Sequence, residues 1–242
     1  MAQQKIITDN KVVMNSLDNI SFKALFSMKD KGIVDTLGGI IQSGKESNIF
    51  WGTDVKGNPI IVKIYLISSN SFNNMLNYIK GDPRFLGISS NKRKVIFEWC
   101  KKEFSNLSKC RNVGMDVPEP LYFKNNVLVM EPIISEDRYA LPLSSTSLNN
   151  PKDFFEKLKH QMKLMLKKAR LIHADFSEFN ILVKHTDNIQ TPVIIDFGQA
   201  VLPEHPRAAF FLNRDLKNIC LFFNKRYDMS LDPKKLLEEL KA

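Results

Sequence analysis

Residues 171–198 read LIHADFSEFNILVKHTDNIQTPVIIDFG, and this stretch decides the fold. Asp175 and Asn180 stand in a polar loop, and Asp196 ends an apolar run. The apolar segments 181–183 and 193–195 flank a polar turn, which predicts a short hairpin between the loop and Asp196. An Asp ahead of an Asn in a loop is more often a turn or a cap. Two acids and an amide in this spacing, each beside an apolar strand, are much rarer and indicate a site.

The order of these parts is that of a protein-kinase catalytic centre, H-R-D-x-x-x-x-N followed by D-F-G. Phosphoryl transfer needs a carboxylate that orients the attacking hydroxyl, and Asp175 fits this role. It also needs oxygen ligands for Mg²⁺ on the phosphates, and Asn180 and Asp196 supply them. The stretch therefore predicts an enzyme that uses ATP and Mg²⁺.

Composition bounds the class of protein. The chain has 242 residues, with 43% hydrophobic and 25% charged, which suits one or two soluble globular domains. No segment approaches the ~20 apolar residues of a membrane span. The N-terminus has no apolar signal core, so a cytoplasmic protein without membrane contact is expected. The three cysteines form no C-x-x-C pair and are expected to be reduced and mostly buried.

The net charge of +9 favours polyanionic partners such as nucleic acid or nucleotides. A lysine-rich surface that is merely solvated explains the same charge equally well. Composition alone leaves these two interpretations open.

Apolar runs at 37–42, 48–52 and 60–66 predict strands, and Lys63 stands in the middle of the third. An ionised lysine inside an apolar strand is costly unless it pairs with or binds an anion. Kinases place their phosphate-binding lysine on the third strand in the pattern V-A-I-K. Ile61-Val62-Lys63 is that pattern without the alanine. The alternative is a lysine on an exposed edge strand.

The loop 43–47 joins the first two of these strands. Residues 39–45 satisfy the P-loop pattern G-x-x-x-x-G-K, but Glu46 stands where a Mg²⁺-binding Ser or Thr is required. A P-loop also opens a helix, whereas this loop lies between strands. A hairpin tip whose backbone N–H groups cover phosphates is the better interpretation.

Helical periodicity predicts helices at 16–31, 68–80, 95–110, 151–170, 206–227 and 232–241. The basic run 92–94 before the third of these is expected to be a mobile loop. Glu98 and Glu103 both lie on the third helix, and spacing alone does not decide which of them pairs with Lys63. Strands are predicted at 121–123 and 127–130, followed by a kinase-type hinge at 131–134 and by a loop rich in Ser and Asn at 141–150.

With these residues in view, the chain resembles the RIO family of atypical serine/threonine protein kinases along nearly its whole length, and most closely the type 1 subfamily. The resemblance rests on several short segments. They are SGKESNIF at 43–50, VKIY at 62–65, GDPRF at 81–85, WCKKEFSNL at 99–107, VME at 129–131, IHAD at 172–175 with Asn180, and IID at 194–196.

The resemblance implies an α+β, bilobal protein-kinase-like fold without an activation loop. It has an antiparallel sheet with helices in the N-lobe and a mostly helical C-lobe. The expected organisation is a single domain over 1–242, with the N-lobe at about 1–131 and the C-lobe at about 132–242. Glu103 becomes the implied partner of Lys63, and Asp215 a buried acid that braces the catalytic loop. The implied nucleotide-binding set is Ser43, Gly44, Lys45, Ser47, Lys63, Glu103, Met130, Glu131 and Ile133, in which Met130 and Ile133 bracket the adenine through backbone groups.

The implied activity is slow autophosphorylation or ATP hydrolysis, with a possible aspartyl-phosphate on Asp196 as proposed for the family. This activity would act in maturation of the small ribosomal subunit, with ribosomal RNA and proteins as partners and no DNA. Only a few residues separate Asp196 from the next predicted helix, so a peptide substrate has little to dock on.

The sequence leaves two alternative functions. One is a small-molecule phosphotransferase of the aminoglycoside or choline type, which the basic C-terminal region disfavours. The other is an RNA-binding pseudokinase, which the complete set Lys63, Asp175, Asn180 and Asp196 disfavours.

Overall fold

The computed structural model describes residues 17–67, 72–85, 91–136 and 138–242. Within these residues the chain divides into two compact units. Its described part in the first unit comprises residues 17–67, 72–77, 91–105 and 119–132. The second unit comprises residues 78–85, 106–118, 133–136 and 138–242.

The described helices follow the predicted periodicity closely. They are α1 Asn19–Asp30, α2 Phe72–Ile79, α3 Lys92–Asn112, α4 Pro151–Lys167, α5 Ala208–Tyr227 and α6 Pro233–Lys241, with short 3₁₀ turns at Pro83–Phe85 and Leu143–Ser145. Asp18, Asn150 and Asp232 cap the starts of α1, α4 and α6, since the side chain of each accepts at least one backbone N–H bond from the first turn. Residue 16 and residues 68–71, where two helices were predicted to start, lie outside the described residues.

The first unit is built on a five-stranded antiparallel sheet in the order β1-β2-β3-β5-β4. Its strands are β1 Thr36–Ser43, β2 Ser47–Thr53, β3 Pro59–Tyr65, β4 Pro120–Lys124 and β5 Val127–Met130. Helix α1 packs Ala24, Leu25 and Met28 against one face of this sheet, which includes Val62 and Ile64 of β3. Because successive side chains of a strand point to opposite faces, Lys63 points away from this apolar core.

The second unit holds the hairpin predicted after the catalytic loop. Strands β9 Ile181–Thr186 and β10 Ile189–Ile194 pair from Ile181↔Ile194 to Thr186↔Ile189, and β8 Leu141–Pro142 adds to β9. A separate two-stranded ladder joins β6 Ile134–Ser135 to β7 Arg138–Tyr139. Ile172, Ala174 and Val201 pack with Ala208 and Phe211 of α5 in a buried cluster.

Two local predictions are wrong. The basic run 92–94 is the first turn of α3 rather than a mobile loop, because the side chain of Asn91 accepts hydrogen bonds from the backbone N–H groups of Arg93 (3.0 Å) and Lys94 (3.3 Å). The predicted loop 141–150 contains β8 and a 3₁₀ turn, since Leu141 and Pro142 extend the ladder of β9.

The predicted α+β class is confirmed by this arrangement. Across the described ranges, none of the helices combines the length and the apolar character that a membrane crossing demands.

Candidate active site

Lys63 lies on the central strand β3, between Ile49 of β2 and Leu128 of β5. This position rules out the edge-strand alternative. Its side chain is only 4% exposed, and its Nζ lies 2.9 Å from Oε1 of Glu103, which is 1% exposed. The sequence alone left Glu98 and Glu103 open. Glu98 is partly exposed and pairs with Lys101 at 3.5 Å, so the pair between Lys63 and Glu103 that the resemblance implied is present.

Tyr65 completes this ion pair, and the sequence analysis missed it. Its hydroxyl donates a short hydrogen bond to Oε2 of Glu103, and Nζ of Lys63 lies 5.2 Å from the centroid of its ring. Both carboxylate oxygens of Glu103 are thus bonded, as a buried charge requires. Strand periodicity could have pointed to Tyr65, since it follows Lys63 by two positions and therefore lies on the same face of the sheet.

Cys100 lies on the same helix as Glu103 and is buried. Burial, together with the charge of Glu103, raises the pKa of its thiol well above the usual value, although Lys63 opposes the shift. A thiol held in its protonated form is a poor nucleophile, so Cys100 is a packing residue of this unit.

The tip between β1 and β2 is a tight exposed turn. The N–H of Gly44 donates to the carbonyl of Ser47 at 2.9 Å, and the hydroxyl of Ser43 donates to Oδ1 of Asn48 at 2.8 Å. A strand follows the turn, so the P-loop interpretation is excluded. Lys45 is exposed on this tip.

The predicted hinge residues have part of their backbone already engaged. In the first unit Met130 ends β5, and the N–H of Glu131 donates to the carbonyl of Glu119 at 2.9 Å. In the second unit the carbonyl of Ile133 accepts from the N–H of Ala140 at 2.8 Å.

The second unit brings Asp175, Asn180 and Asp196 together, as the local motif predicts. The carboxamide of Asn180 donates to the carbonyl of Asp175 at 2.9 Å and to its Oδ2 at 3.3 Å. The N–H of Ile195 donates to the carbonyl of Asn180 at 3.0 Å. Because Ile181 pairs with Ile194, Asn180 and Asp196 both stand at the same end of the hairpin.

This donor set fits Mg²⁺. The amide nitrogen of Asn180 donates to Asp175. If Mg²⁺ bound here, Oδ1 of Asn180 and the carboxylate of Asp196 would be its ligands. Mg²⁺ is usually bound by one or two carboxylates together with substrate phosphates and water. Within the described ranges no group of three or more His, Cys, Asp or Glu side chains is placed to hold a metal ion.

Asp215 of α5 braces the loop that carries Asp175. Its carboxylate accepts from the N–H groups of Ala174 (2.7 Å) and Phe176 (3.1 Å), on either side of Asp175. Arg214 donates a short hydrogen bond to the carbonyl of Ala174. Burial raises the pKa of Asp215 to about 7, against the opposing effect of the two N–H bonds and of Arg214. Ala174 has a left-handed φ of 61°, so these bonds hold a conformation that alanine seldom adopts.

Comparison with known proteins decides the family. A family model described as "RIO domain" matches residues 48–236. The RIO-type serine/threonine-protein kinase Rio1 of Haloferax volcanii is 38% identical over 216 residues, covering 89% of this chain and 73% of the relative. This chain belongs to the RIO family. The RIO-type serine/threonine-protein kinase Rio1 of Methanocaldococcus jannaschii is 34% identical, covering 93% of this chain and 75% of the relative. The resemblance to the type 1 RIO subfamily is thereby confirmed.

Solved structures confirm the kinase-like fold of this RIO chain. The Rio2 kinase from Chaetomium thermophilum, crystallised as an ADP/Mg²⁺–phosphoaspartate complex, is 26% identical with a TM-score of 0.72. A second crystal structure of that kinase is 28% identical with a TM-score of 0.73. The matches cover 90% of this chain and 66% and 67% of those chains. The human serine/threonine-protein kinase RIO1 is 32% identical, and the match covers 40% of its length.

Replacing Lys63 by Met is expected to lower ATP turnover by ~10²-fold or more, the effect of losing one preorganised electrostatic contact. Met keeps the volume of the lysine stem, but Lys63→Met alone would leave the buried charge of Glu103 without its partner, at a cost of about 3–5 kcal/mol in stability. The test protein is therefore the double variant Lys63→Met/Glu103→Gln. Turnover is measured under saturating Mg²⁺, with circular dichroism as the check on folding. The exposed Lys23→Met on α1 is the control. Wild-type turnover in a folded Lys63→Met/Glu103→Gln protein would show that β3 does not carry the phosphate-binding lysine.

Proposed function

We propose that this RIO-family chain is an ATP-dependent serine/threonine protein kinase with ATPase activity. The grouping of Asp175, Asn180 and Asp196 at the end of the β9–β10 hairpin carries the proposal. The buried pair of Lys63 and Glu103 in the first unit supports it, because kinases use such a pair on their phosphate-binding strand. The names of its relatives support the same activity.

Each predicted residue then has a proposed task. Asn180 and Asp196 would hold Mg²⁺, which would supply positive charge against the phosphates. Lys63 contacts phosphate oxygens, and Asp175 orients the attacking group. The β1–β2 tip, with Ser43, Gly44, Lys45 and Ser47, covers the phosphates. Met130, Glu131 and Ile133 bind the adenine edge through backbone groups.

Asp196 is also proposed as a phosphate acceptor. The phosphoaspartate in the Chaetomium thermophilum Rio2 complex supports this role for a RIO-family acid. A carboxylate oxygen of Asp196 attacks the γ-phosphorus, and the bond to the bridging oxygen breaks, so that ADP leaves with the electron pair. Water then attacks the same phosphorus and releases inorganic phosphate, which restores the carboxylate.

The segment after Asp196 supports hydrolysis or autophosphorylation over transfer to a docked peptide. Only residues 197–207 separate Asp196 from α5, and Val201 is bridged to Ile172. This segment is too short for an activation loop, so a switch by phosphorylation there is not expected.

The experiment that tests the function is incubation with γ-labelled ATP and Mg²⁺. Release of labelled phosphate, with label on the protein, supports the proposal. Label that is released by hydroxylamine marks an acyl phosphate, whereas label that survives acid marks phosphoserine or phosphothreonine. Label on an added aminoglycoside or choline, with none on the protein, would favour a small-molecule phosphotransferase. Absence of all turnover would favour a pseudokinase.

The proposed cellular role is maturation of the small ribosomal subunit in the cytoplasm. The net charge of +9 suits an RNA partner. In the second unit, a set of exposed basic side chains lies on α5 and α6: Lys217, Lys225, Arg226, Lys234 and Lys235. All three cysteines are free and buried, which fits a reducing compartment.

Binding to small-subunit ribosomal RNA is expected to weaken steeply with salt, by about 0.7–0.9 log units of affinity per log unit of salt for each neutralised phosphate. If α5 contacts the RNA, the double substitution Lys217→Gln/Lys225→Gln should make the slope of log affinity against log salt concentration shallower by about 2. Fluorescence anisotropy over a salt series measures it. The control, Lys163→Gln/Lys167→Gln, makes the same charge change on exposed positions of α4. Equal slopes for both double variants would assign the charge of α5 to a solvated surface.

A further inference from the structure

The turn 81–85 belongs to the sequence segments that carry the family resemblance, and the proposed chemistry gives it no task. Gly81 has a φ of +88°, and a Cβ there would lie 2.7 Å from Cδ of Pro206. Only glycine permits this approach. Asp82 is buried, and its carboxylate accepts hydrogen bonds from Nε (2.9 Å) and one Nη (2.7 Å) of Arg84, which makes a bidentate ion pair. The guanidinium is thereby fixed in one orientation.

Arg84 uses its other Nη to reach α3. This nitrogen donates to Oδ1 of Asn106 at 2.7 Å. Asn106 is fully buried, at 0% exposed, and its Nδ2 donates to the carbonyl of Phe197 at 2.9 Å, with a longer contact of 3.4 Å to the carbonyl of Ala200. The bond from Arg84 fixes which end of the carboxamide faces these carbonyls, because a guanidinium is a donor only.

The segment between those two carbonyls carries Gln199. Its Nε2 donates to Oδ2 of Asp175 at 3.3 Å. The N–H of Ala200 donates to the carbonyl of Phe197 at 3.2 Å, which closes the segment as a turn. Gln199 is held in this turn, one end of which follows directly on Asp196.

We propose that Asp82, Arg84 and Asn106 are positioning residues for phosphoryl transfer, acting through the 197–200 turn and Gln199 on the carboxylate of Asp175. This inference rests on the proposed function, since Asp175 is its endpoint. A carboxylate that orients a nucleophile must be held within a fraction of an ångström, and bonds of this kind from neighbouring groups supply that restraint. Asn180 also donates to this Oδ2, at 3.3 Å, so Gln199 and Asn180 restrain the same carboxylate oxygen.

Asn106→Asp removes this contact. A carboxylate still accepts from Arg84 but cannot donate to the carbonyl of Phe197, so the link to the 197–200 turn is cut. The substitution also adds a negative charge beside that carbonyl, which Gln199→Ala does not. Asn112→Asp makes the same chemical change at an exposed position of α3 and is the control. Gln199→Ala removes the contact between Gln199 and Asp175 at a half-buried position. It is the test variant if Asn106→Asp does not fold.

The expected result is a kcat about 10-fold lower for Asn106→Asp and for Gln199→Ala, with KM for ATP within about 2-fold of wild type, as for the loss of a transition-state interaction. The double variant should be no slower than either single variant, because both cut one chain of contacts. Additive losses, or a change confined to KM, would overturn the proposal.

Hydrogen exchange gives a second readout that does not depend on turnover. Peptides that contain residues 197–200 should exchange faster in Asn106→Asp than in Asn112→Asp, since the turn has lost its buried donor. Unchanged exchange there would overturn the inference even if the enzyme were inactive. If residues 197–200 exchange faster in Asn106→Asp but the wild-type protein shows no ATP turnover, the contact between Asn106 and the turn is upheld and the proposed function is refuted.

Discussion

Asp196→Asn is expected to abolish ATP hydrolysis and every covalent phosphate on the protein. Asp196 is proposed both to bind Mg²⁺ and to accept the phosphate, and an amide serves neither purpose well. Loss of several kcal/mol of charge stabilisation corresponds to a rate ~10³-fold lower or more. Turnover and protein-bound label are measured together with γ-labelled ATP.

The choice of Asn has a structural reason. Asp196 has a left-handed φ of 63°, a conformation that Asn adopts more readily than Ala. Asp196→Ala should be equally inactive, but it adds backbone strain. Asp187, with a φ of 51° in the β9–β10 turn, is the matched position, and Asp187→Asn should keep wild-type turnover. Metal-dependent turnover that survives Asp196→Asn would place the metal ligand elsewhere.

Asp175→Ala separates two mechanisms. If the protein transfers phosphate to a hydroxyl, Asp175 orients that hydroxyl, and its removal blocks serine or threonine autophosphorylation. If hydrolysis through Asp196 dominates, Asp175 positions the water that clears the aspartyl-phosphate. Loss of that water should let the acyl phosphate persist, so labile label accumulates above the wild-type amount.

The measurement is the amount of protein-bound label and its lability to hydroxylamine, in Asp175→Ala and wild type. Asp175→Asn is the companion variant, because it keeps an oxygen that can accept from Asn180 and Gln199. Accumulation of hydroxylamine-labile label supports the hydrolytic cycle. If Asp175→Ala carries no label and the wild-type protein carries only acid-stable label, the protein transfers phosphate directly to a hydroxyl group, as an ordinary kinase does.

The local part of the site was accessible from the sequence. Asp175, Asn180 and Asp196 flank one hairpin, and strand pairing between 181 and 194 is enough to bring Asn180 and Asp196 to the same end of it. The helix start at Asp232 follows from capping, which involves residues two or three positions apart. The basic run 92–94 was misjudged because the cap at Asn91 was not recognised.

The choice between Glu98 and Glu103 could not be made from spacing. These residues lie on one helix, and which of them faces Lys63 depends on how α3 packs beside β3, 40 residues away in sequence. The resemblance to a known family supplied the answer that the physical pattern did not. Tyr65 was accessible in principle from its place on the face of Lys63, but its contact with Glu103 depends on the same packing.

What the sequence determined by itself is the chemistry that can occur: the acids, the amide and the buried lysine, placed by local periodicity. What only the tertiary structure decided is how these groups are held. Asn106 reaches the carbonyl of Phe197 across 91 positions, and Asp215 reaches the N–H of Ala174 across 41. Such bonds form between segments that no local rule joins, because their geometry exists only once the surrounding core has packed.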